Sequence, residues 1–474
     1  MTSLLSVLLH LLLIATSTPL IRNSAQEQDG ELANILGQEV VELTRDLTAV
    51  RTFPEFIDCV SDLRRYGQFA EPSLPYVVKL LEQNTLRPTT ISQTENFRMV
   101  FTDYFDVIGP SALDLLIKIV KNTELLVDTR ILACESILQI AQRKSVRSRD
   151  TASQIRDIML NEWGRSGNSL IYTTLLRAYG HIAENCNGSQ LFLIEILNRD
   201  DIAVKIPAIE AACESQKGSS RILMEIVQAF QKCEKPENRR GSPLLYTIIG
   251  GYGKLGLFDE SIDAFLKSEL ETNDDPIWRL HCAEAMTSTR VDSATARIYI
   301  LAELQRELSI RPVDSNGNIF VNRALSVVDK WEHQHLLAAE DLIIEVIREP
   351  SLDGLHGFAF DLLLKMQSSS VQRLADEVSK ASCDILRLKA IAYHSRNSKV
   401  DADDLRFSSE LLGDEYAGLS HRIECVRIIS AGGSKAVIYL DLLERLWQEP
   451  GPVQLRMESF AAYNKINQLL KKEP

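Results

Sequence analysis

The sequence predicts an all-α protein, an α-α superhelix of about ten to twelve helical hairpins. Three observations lead there. First, a segment returns along the chain, with a basic residue, a small residue three places later and an apolar stripe around them. It reads DTRILACESILQIA from Asp128, DDIAVKIPAIEAACES from Asp200, DDPIWRLHCAEAMTS from Asp274, GLSHRIECVRIISAGG from Gly418 and GPVQLRMESFAAYNKI from Gly451. Aligned on Arg130, Lys205, Arg279, Arg422 and Arg456, the third residue on is Ala133, Ala208, Cys282, Cys425 and Ser459. The anchors stand 75, 74, 143 and 34 residues apart, near multiples of about 36, a period that marks stacked helical pairs. Second, apolar residues recur at three and four places, and nothing long alternates with period two. Third, most of the 15 prolines stand between periodic segments, as at Pro72, Pro312 and Pro350, where they punctuate helices without interrupting them.

In chain order, Leu32, Ile35, Leu36, Val40, Leu43 and Leu47 form one stripe and predict a helix over 31–50. A second over 56–66 ends at Gly67, a natural helix stop. Helices over 74–82 and 97–108 follow, the latter closed by Gly109-Pro110. Pairs then alternate: 112–120 with 129–142, 152–163 with 170–184, 190–197 with 203–215, and 221–232 with 244–252. The series continues with 258–270 and 278–286, then 294–308 and 319–331. Segments 335–348, 355–366, 371–380, 386–394, 404–412, 421–429, 436–447 and 453–470 close it. The loops are short and polar, such as Asn198 to Asp201 and Thr272 to Asp275, and each offers Asp or Asn to cap the next helix. Residues 311–318 (RPVDSNGN) read as a flexible loop, but helical pairs resume at once, so 26–474 reads as a single solenoid.

At 474 residues with 45% hydrophobic content, the chain can hold such an array and is not broadly disordered. A formal net charge of −13 argues against nucleic acid and anionic membrane surfaces as partners. The basic run Arg143 to Arg149 lies between helical segments and reads as a solvated loop. The apolar stretch Leu4 to Ala15 has the length of a secretory h-region and is too short to span a bilayer. With cleavage sites at Ala15-Thr16-Ser17 or Ser24-Ala25, residues 1–25 read as a secretory signal peptide, although no Lys or Arg precedes the stretch. The expected compartment is secreted or periplasmic/cell envelope, with no integral membrane segment after the leader. Of eight cysteines, Cys134, Cys213, Cys282 and Cys425 fall in the recurring helix at or near its small position. They are expected as buried thiols that let helices approach, not as disulfides.

The five quoted segments, with Phe97-Arg98 through Ile108-Gly109, resemble the second helix of HEAT and armadillo-like repeats. That helix carries an acidic or Asn cap, a basic residue, Ala-rich small positions and a terminal Leu-Gly or Ile-Gly. The likeness is looser between Arg290 and Glu410. It implies an architecture and, most often in such families, binding of proteins on a concave surface. Residues 244–270 also resemble a tetratricopeptide hairpin through Tyr246, Gly251, Tyr252, Gly256, Asp259, Glu260 and Phe265.

Motifs that could carry chemistry are sparse. Gly251, Gly253 and Gly256 satisfy GxGxxG, with Asp274 where a ribose-binding acid would fall, but a dinucleotide site needs a parallel sheet. His333 and His335 sit two apart and point to different sides of a helix, so they do not share an ion. Asp274-Asp275 and Asp401 to Asp404 read as helix caps, and Ser434-Lys435 lacks the upstream Gly of a phosphate loop. Asn187-Gly188-Ser189 is a glycosylation acceptor if the source is eukaryotic. The sequence therefore assigns no catalytic, metal or cofactor-binding residue and no cofactor. The leading expectation is an exported, non-catalytic scaffold that binds a protein partner through its second helices and adjoining loops. The alternatives are a secreted all-helical toroid enzyme acting on polysaccharide, for which Trp163, Trp278, Trp331 and Trp447 are few cleft aromatics, and a helical-repeat nucleic-acid binder.

Overall fold

The computed structural model describes residues 25–82, 88, 90–144, 146–162, 169–183, 188–199, 201–233, 242–289, 293–310, 312–368, 370–378, 384–396, 400–414 and 416–470. Among them the fold is all-α with no β-strand, a helical repeat in which successive pairs pack against their neighbours. Residues 1–24 of the expected leader lie outside the described residues, as do Trp163, Cys186, Asn187 and Arg311.

The chain divides into two compact units, residues 1–265 with 288–291, and residues 266–287 with 292–474. The first holds α1 (Ala25–Ala49), α2 (Phe53–Arg64), α3 (Leu74–Glu82), α4 (Ile91–Ile108), α5 (Leu113–Lys121) and α6 (Val127–Lys144). It continues with α7 (Arg149–Glu162), α8 (Ser169–Ile182), α9 (Ser189–Leu197), α10 (Ile202–Ser215), α11 (Ser220–Cys233) and α12 (Pro243–Leu255). The division falls within α13 (Glu260–Thr272) and near the end of α14 (Pro276–Ser288). The second unit continues with α15 (Ser293–Ser309), α16 (Ser315–Val328), α17 (His333–Leu336), α18 (Glu340–Arg348), α19 (Asp353–Lys365) and α20 (Ser370–Val378). Last come α21 (Asp384–Arg396), α22 (Ala402–Gly413), α23 (Leu419–Ala431), α24 (Leu440–Gln448) and α25 (Val453–Leu470). In the first unit α2, α4, α6, α8, α10 and α12 pack side by side as one layer, and in the second α19, α21, α23 and α25 do the same. These are the second helices of the pairs.

One expectation is corrected. Residues 311–318 are not a loop throughout, because α16 begins at Ser315. The Asp314 carboxylate accepts the Gly317 N–H at 2.7 Å and caps the helix, while Val313 is buried and its N–H donates to Ser351 Oγ at 3.1 Å. A buried apolar residue just ahead of an Asp cap turns the polar RPVDSNGN stretch into a helix start. Residues 311–318 lie inside the second unit.

Glycine at the end of a second helix makes the turn back into the next first helix. Gly67, Gly109 and Gly433 have φ of 56°, 81° and 59°, and each is followed by a 3-10 segment, Gly67–Ser73, Gly109–Ala112 and Gly433–Tyr439. A Cβ is costly in that left-handed region, so glycine takes the place.

The recurring basic residue closes the hairpin. Arg130 Nε donates to the Val120 carbonyl at 2.8 Å, Arg422 Nε to Leu412 at 3.2 Å and Arg456 Nε to Trp447 at 3.0 Å. Each acceptor lies in the last turn of the helix before it, where carbonyls have no partner within the helix and the dipole favours a cation. Arg130 and Arg456 are buried, and Arg130 also pairs with buried Glu162. The small position three residues on lies in the packed interior: Ala133, Ala208, Cys282, Cys425 and Ser459 are all buried. The six cysteines among the described residues are free thiols, with Cys134, Cys213, Cys282 and Cys425 buried.

Close packing of second helices explains further small residues. A Cβ built on Gly180 of α8 would lie 2.5 Å from Ala211 Cα of α10, and one on Gly251 of α12 would lie 2.8 Å from Cys213 Sγ. The two cores differ in composition. The start of the first unit is aromatic: Phe53, Phe56, Phe97, Phe101, Tyr104 and Phe105 stack with neighbouring centroids 4.7–6.4 Å apart. The end of the second is chiefly aliphatic, with Ile391, Leu412, Val426, Ile428, Leu443 and Ile466 at its centre.

Candidate functional site

Side chains three, four and seven apart share a helix face, so each second helix presents one outward row across its layer. In the first unit those rows are linked by ion pairs about one repeat apart. Arg64 meets Asp103 at 2.9 Å and Arg98 meets Glu135 at 3.8 Å. Arg143 reaches back to Asp106 at 2.7 Å, Arg177 holds Glu210 at 2.6 Å and Lys254 holds Glu214 at 3.1 Å. The second unit repeats the device: Lys330 to Glu284 at 2.6 Å, Lys365 to Asp329 at 2.8 Å, Lys389 to Asp361 at 2.8 Å and Arg427 to Glu458 at 2.6 Å.

The cation is usually the more exposed member. Side-chain exposures are 61% for Arg143 against 7% for Asp106, 52% for Lys254 against 24% for Glu214, 66% for Lys330 against 28% for Glu284, and 51% for Arg427 against 30% for Glu458. Lys389 with Asp361 and, narrowly, Arg64 with Asp103 reverse the order. A chain of net charge −13 thus turns lysine and arginine outward along this face, over carboxylates. Exposed apolar side chains stand early in the same helices: Leu170 and Tyr246 in the first unit, Ile319, Ile385, Leu419 and Met457 in the second.

A groove of about 510 Å³ opens in this face of the second unit, between α21, α23 and α25. Its walls are Leu388, Lys389, Leu419, Ser420, His421, Ile423, Glu424, Arg427 and Gln454. Glu424 sits 3.5 Å from Arg427, and the combined pull of Glu458 and Glu424 keeps that guanidinium firmly protonated. The groove combines apolar surface with donors and acceptors of both signs.

In the first unit Glu214 is shared by Lys254 at 3.1 Å, Lys217 at 3.5 Å and His181 at 3.9 Å. Burial pushes the Glu214 carboxyl up, but Lys254, Lys217 and His181 outweigh it, and the pKa falls below the ordinary value. Burial lowers the pKa of His181, and Lys254 and Lys217 reinforce this against the opposing pull of Glu214.

The sequence motifs take structural places. Gly251 and Gly253 lie inside α12, where the apolar residues just before them are helical as well, and Gly256 ends that helix at φ 65°. Tyr252 Oη accepts the Asp259 N–H at 3.0 Å, which fixes the turn into α13. His333 is exposed, and His335 Nε2 lies 3.3 Å from the Gln334 amide. Asp275 caps α14 by accepting from Ile277 and Trp278, and Asp401 and Asp404 form a capping box on α22. Lys435 donates to the Val400 carbonyl at 3.1 Å. Trp331 and Trp447 are buried, and the Trp278 indole donates to Glu269 at 2.6 Å. In the basic run, Arg143 belongs to the ladder and Ser148 Oγ accepts the Thr151 N–H at the start of α7. Among the described residues no three His, Cys, Asp or Glu side chains converge as a metal site would require, and no helix is long and apolar enough to cross a membrane.

Sequence reasoning assigned no individual residue to a partner surface, and so missed the ladder. Its signal is present in the chain as opposite charges spaced about one repeat apart, as Arg177 and Glu210 are at 33 residues. No protein-family model matches the chain, and no curated protein matches it either.

Proposed function

We propose that this protein is a non-catalytic scaffold of the HEAT/armadillo-like kind that binds a protein partner on the exposed face of its second helices. The observation that carries the reading is the conjunction on one face of cross-repeat ion pairs and exposed apolar side chains, repeated in each unit. The pairs hold the side chains in fixed positions, which lowers the ordering cost when a partner docks, and the apolar residues supply area to bury. The mixed signs suit a polypeptide, since a nucleic-acid backbone requires an excess of cations. The expected setting is extracellular or periplasmic, on the strength of the apolar stretch Leu4 to Ala15.

The test is crosslinking capture with the full tagged chain in native extract or medium, read residue by residue. Crosslinks concentrated on α4, α8, α12, α16, α21, α23 and α25 support the proposal. Crosslinks confined to the first helices, or binding to a polysaccharide panel with no protein recovered, would sink it. Export is checked separately, by fusing residues 1–25 to a reporter and asking whether it leaves the cytoplasm.

A further inference from the structure

We infer that Tyr416, in the loop between α22 and α23, is a modification site whose phenolic oxygen accepts an anionic sulfuryl or phosphoryl group from an activated anhydride donor. The transferase reads the two acids that stand before it. The inference is independent of the partner surface proposed above.

Exposure singles the residue out. Tyr416 is 97% exposed against 39% for Tyr246, and the rest of the 12 tyrosines are buried or half-buried. A tyrosine ring carries apolar surface that ordinarily packs while its hydroxyl reaches water. The loops ahead of α6, α10 and α14 offer Asn122 to Glu124, Asn198 to Asp201 and Asn273 to Asp275 instead. Nor does the loop use the ring to hold its own shape. The Tyr416 N–H donates to Asp414 Oδ1 at 2.9 Å, and the Ala417 N–H to the Asp414 carbonyl at 3.2 Å. The Asp414 N–H closes α22 on the Leu411 carbonyl at 3.3 Å, and Arg422 Nε ties the start of α23 to Leu412 at 3.2 Å. The backbone thus makes a firm base from which the side chain projects. Gly413, Asp414, Gly418, Leu419 and Ser420 are exposed as well, so an enzyme cleft can close on the segment from both sides.

The flanks supply the chemistry. Asp414 and Glu415 stand directly before the tyrosine, Glu410 lies in the last turn of α22, and the small Ala417 and Gly418 follow. A basic cleft recognises such an acidic flank, and the small residues leave the hydroxyl unhindered. In the transfer the phenol gives its proton to a base of the transferase and a new oxygen–sulfur or oxygen–phosphorus bond forms. The anhydride bond of the donor breaks, and its nucleotide leaves with the electron pair, so no oxidant or reductant takes part. The donor is a phosphosulfate nucleotide for the sulfuryl group and a nucleoside triphosphate for the phosphoryl group. The fold accommodates the added charge. Tyr416 stands two residues ahead of Gly418, which opens α23 without a side-chain cap, and negative charge ahead of a helix is favoured by its dipole.

The experiment is peptide mapping by mass spectrometry of the full chain purified from its own source. The Tyr416 peptide is expected to carry the mass of one sulfuryl or phosphoryl group, and the Tyr246 peptide to carry none. Phosphatase distinguishes the two donors, because it releases a phosphoryl group and leaves a sulfuryl group, which mild acid then removes. Tyr416→Phe should lose the added mass without moving the thermal midpoint, since the ring is bare. Glu415→Gln, which removes a flanking charge and keeps the hydroxyl, should lower the modified fraction at least about 5-fold. An unmodified Tyr416, equal modification of Tyr246, or an unchanged fraction in Glu415→Gln would each overturn the inference. An unmodified Tyr416 that crosslinks to the captured partner would make the ring a docking anchor, and this inference would then fail while the partner reading stands.

Discussion

Arg130 in the first unit and Arg279 in the second occupy the same place in the recurring segment, yet they do different things. Arg130 is buried, closes its own hairpin on the Val120 carbonyl and neutralises buried Glu162. Arg279 leaves its hairpin. It lies 5.3 Å from the centre of the Tyr299 ring and 3.6 Å from Glu303, both on α15, and its Nε has no hydrogen-bond partner. The end of α13 is tied down instead by the residue before it, because Trp278 Nε1 and Asn273 Nδ2 both donate to Glu269. A repeat motif therefore specifies a task, closing one helix on the next. When a neighbouring side chain takes that task, the motif residue is released to pack elsewhere.

Removing the two arginines is the strongest way to break this comparison. Arg130→Met takes the cation away from the buried Glu162 carboxylate and is expected to cost about 3–5 kcal/mol, the usual loss when one member of a buried pair is deleted. Arg279→Met gives up a half-buried cation–ring contact and a long ion pair, for about 1 kcal/mol. Urea unfolding followed by circular dichroism should show the first variant with a much lower midpoint and the second near the parent. Equal losses would mean that Arg279 closes its hairpin after all. In the second unit the larger effect belongs to Trp278→Phe, which removes a charge-assisted bond to Glu269 and should cost about 1.5–3 kcal/mol.

A smaller effect separates the units by their packing. In the first, a methyl group on Gly180 runs into the backbone of α10, and Gly180→Ala is expected to cost about 1–3 kcal/mol because backbone cannot step aside. In the second, a methyl group on Gly357 meets only Ile385 Cγ2 at 3.0 Å, the end of a half-exposed side chain. Gly357→Ala should be close to neutral, since the gain in helix propensity offsets a small shift. Thermal unfolding of the two variants decides it, and a stable Gly180→Ala protein would mean that α8 and α10 are less tightly joined than their glycine implies.

Much of this was legible before any coordinates. The anchors Arg130, Arg422 and Arg456, the small positions behind them and the glycine turns at Gly67 and Gly109 all repeat in the sequence, because one task recurs at one spacing. The release of Arg279 was not legible: the choice between it and Trp278 depends on where Glu269 and Tyr299 stand, and only the packed helices settle that. The start of α16 was misread for a similar reason. Pro312, Asn316 and Gly317 are turn residues by type, and the buried Val313 that sets the Asp314 cap is a tertiary fact. The ion-pair ladder lay between these cases, present as charge spacing but lost among the many other charges of the sequence.

The smallest effect is a difference in acid sensitivity between the two ladders. In the first unit Glu214 holds Lys254 and Lys217 with His181 beside it, whereas in the second Arg427 is held by Glu458 and Glu424. The folded pKa of His181 lies below its unfolded value, so the neutral ring is the form that folding favours. Its contribution is complete above the unfolded value of about 6.5 and is lost as pH falls through that value toward the folded one. The Glu214 carboxyl is also lowered, and its contribution is present above the unfolded value of about 4.3 and lost as pH falls through the folded one. Protonating His181 thus sets a third cation beside the Glu214 carboxylate. Both groups are partly exposed, so solvent screens the effect and the expected loss is a small fraction of the Arg130 effect. Hydrogen exchange from neutral pH to below pH 6, corrected for the intrinsic rate, should show α8 and α10 loosening while α23 and α25 hold. His181→Gln should remove that first loosening and leave the later, carboxylate-driven one in place. If α23 and α25 loosen together with α8 in the parent chain, His181 is not the cause and the two ladders respond to acid alike.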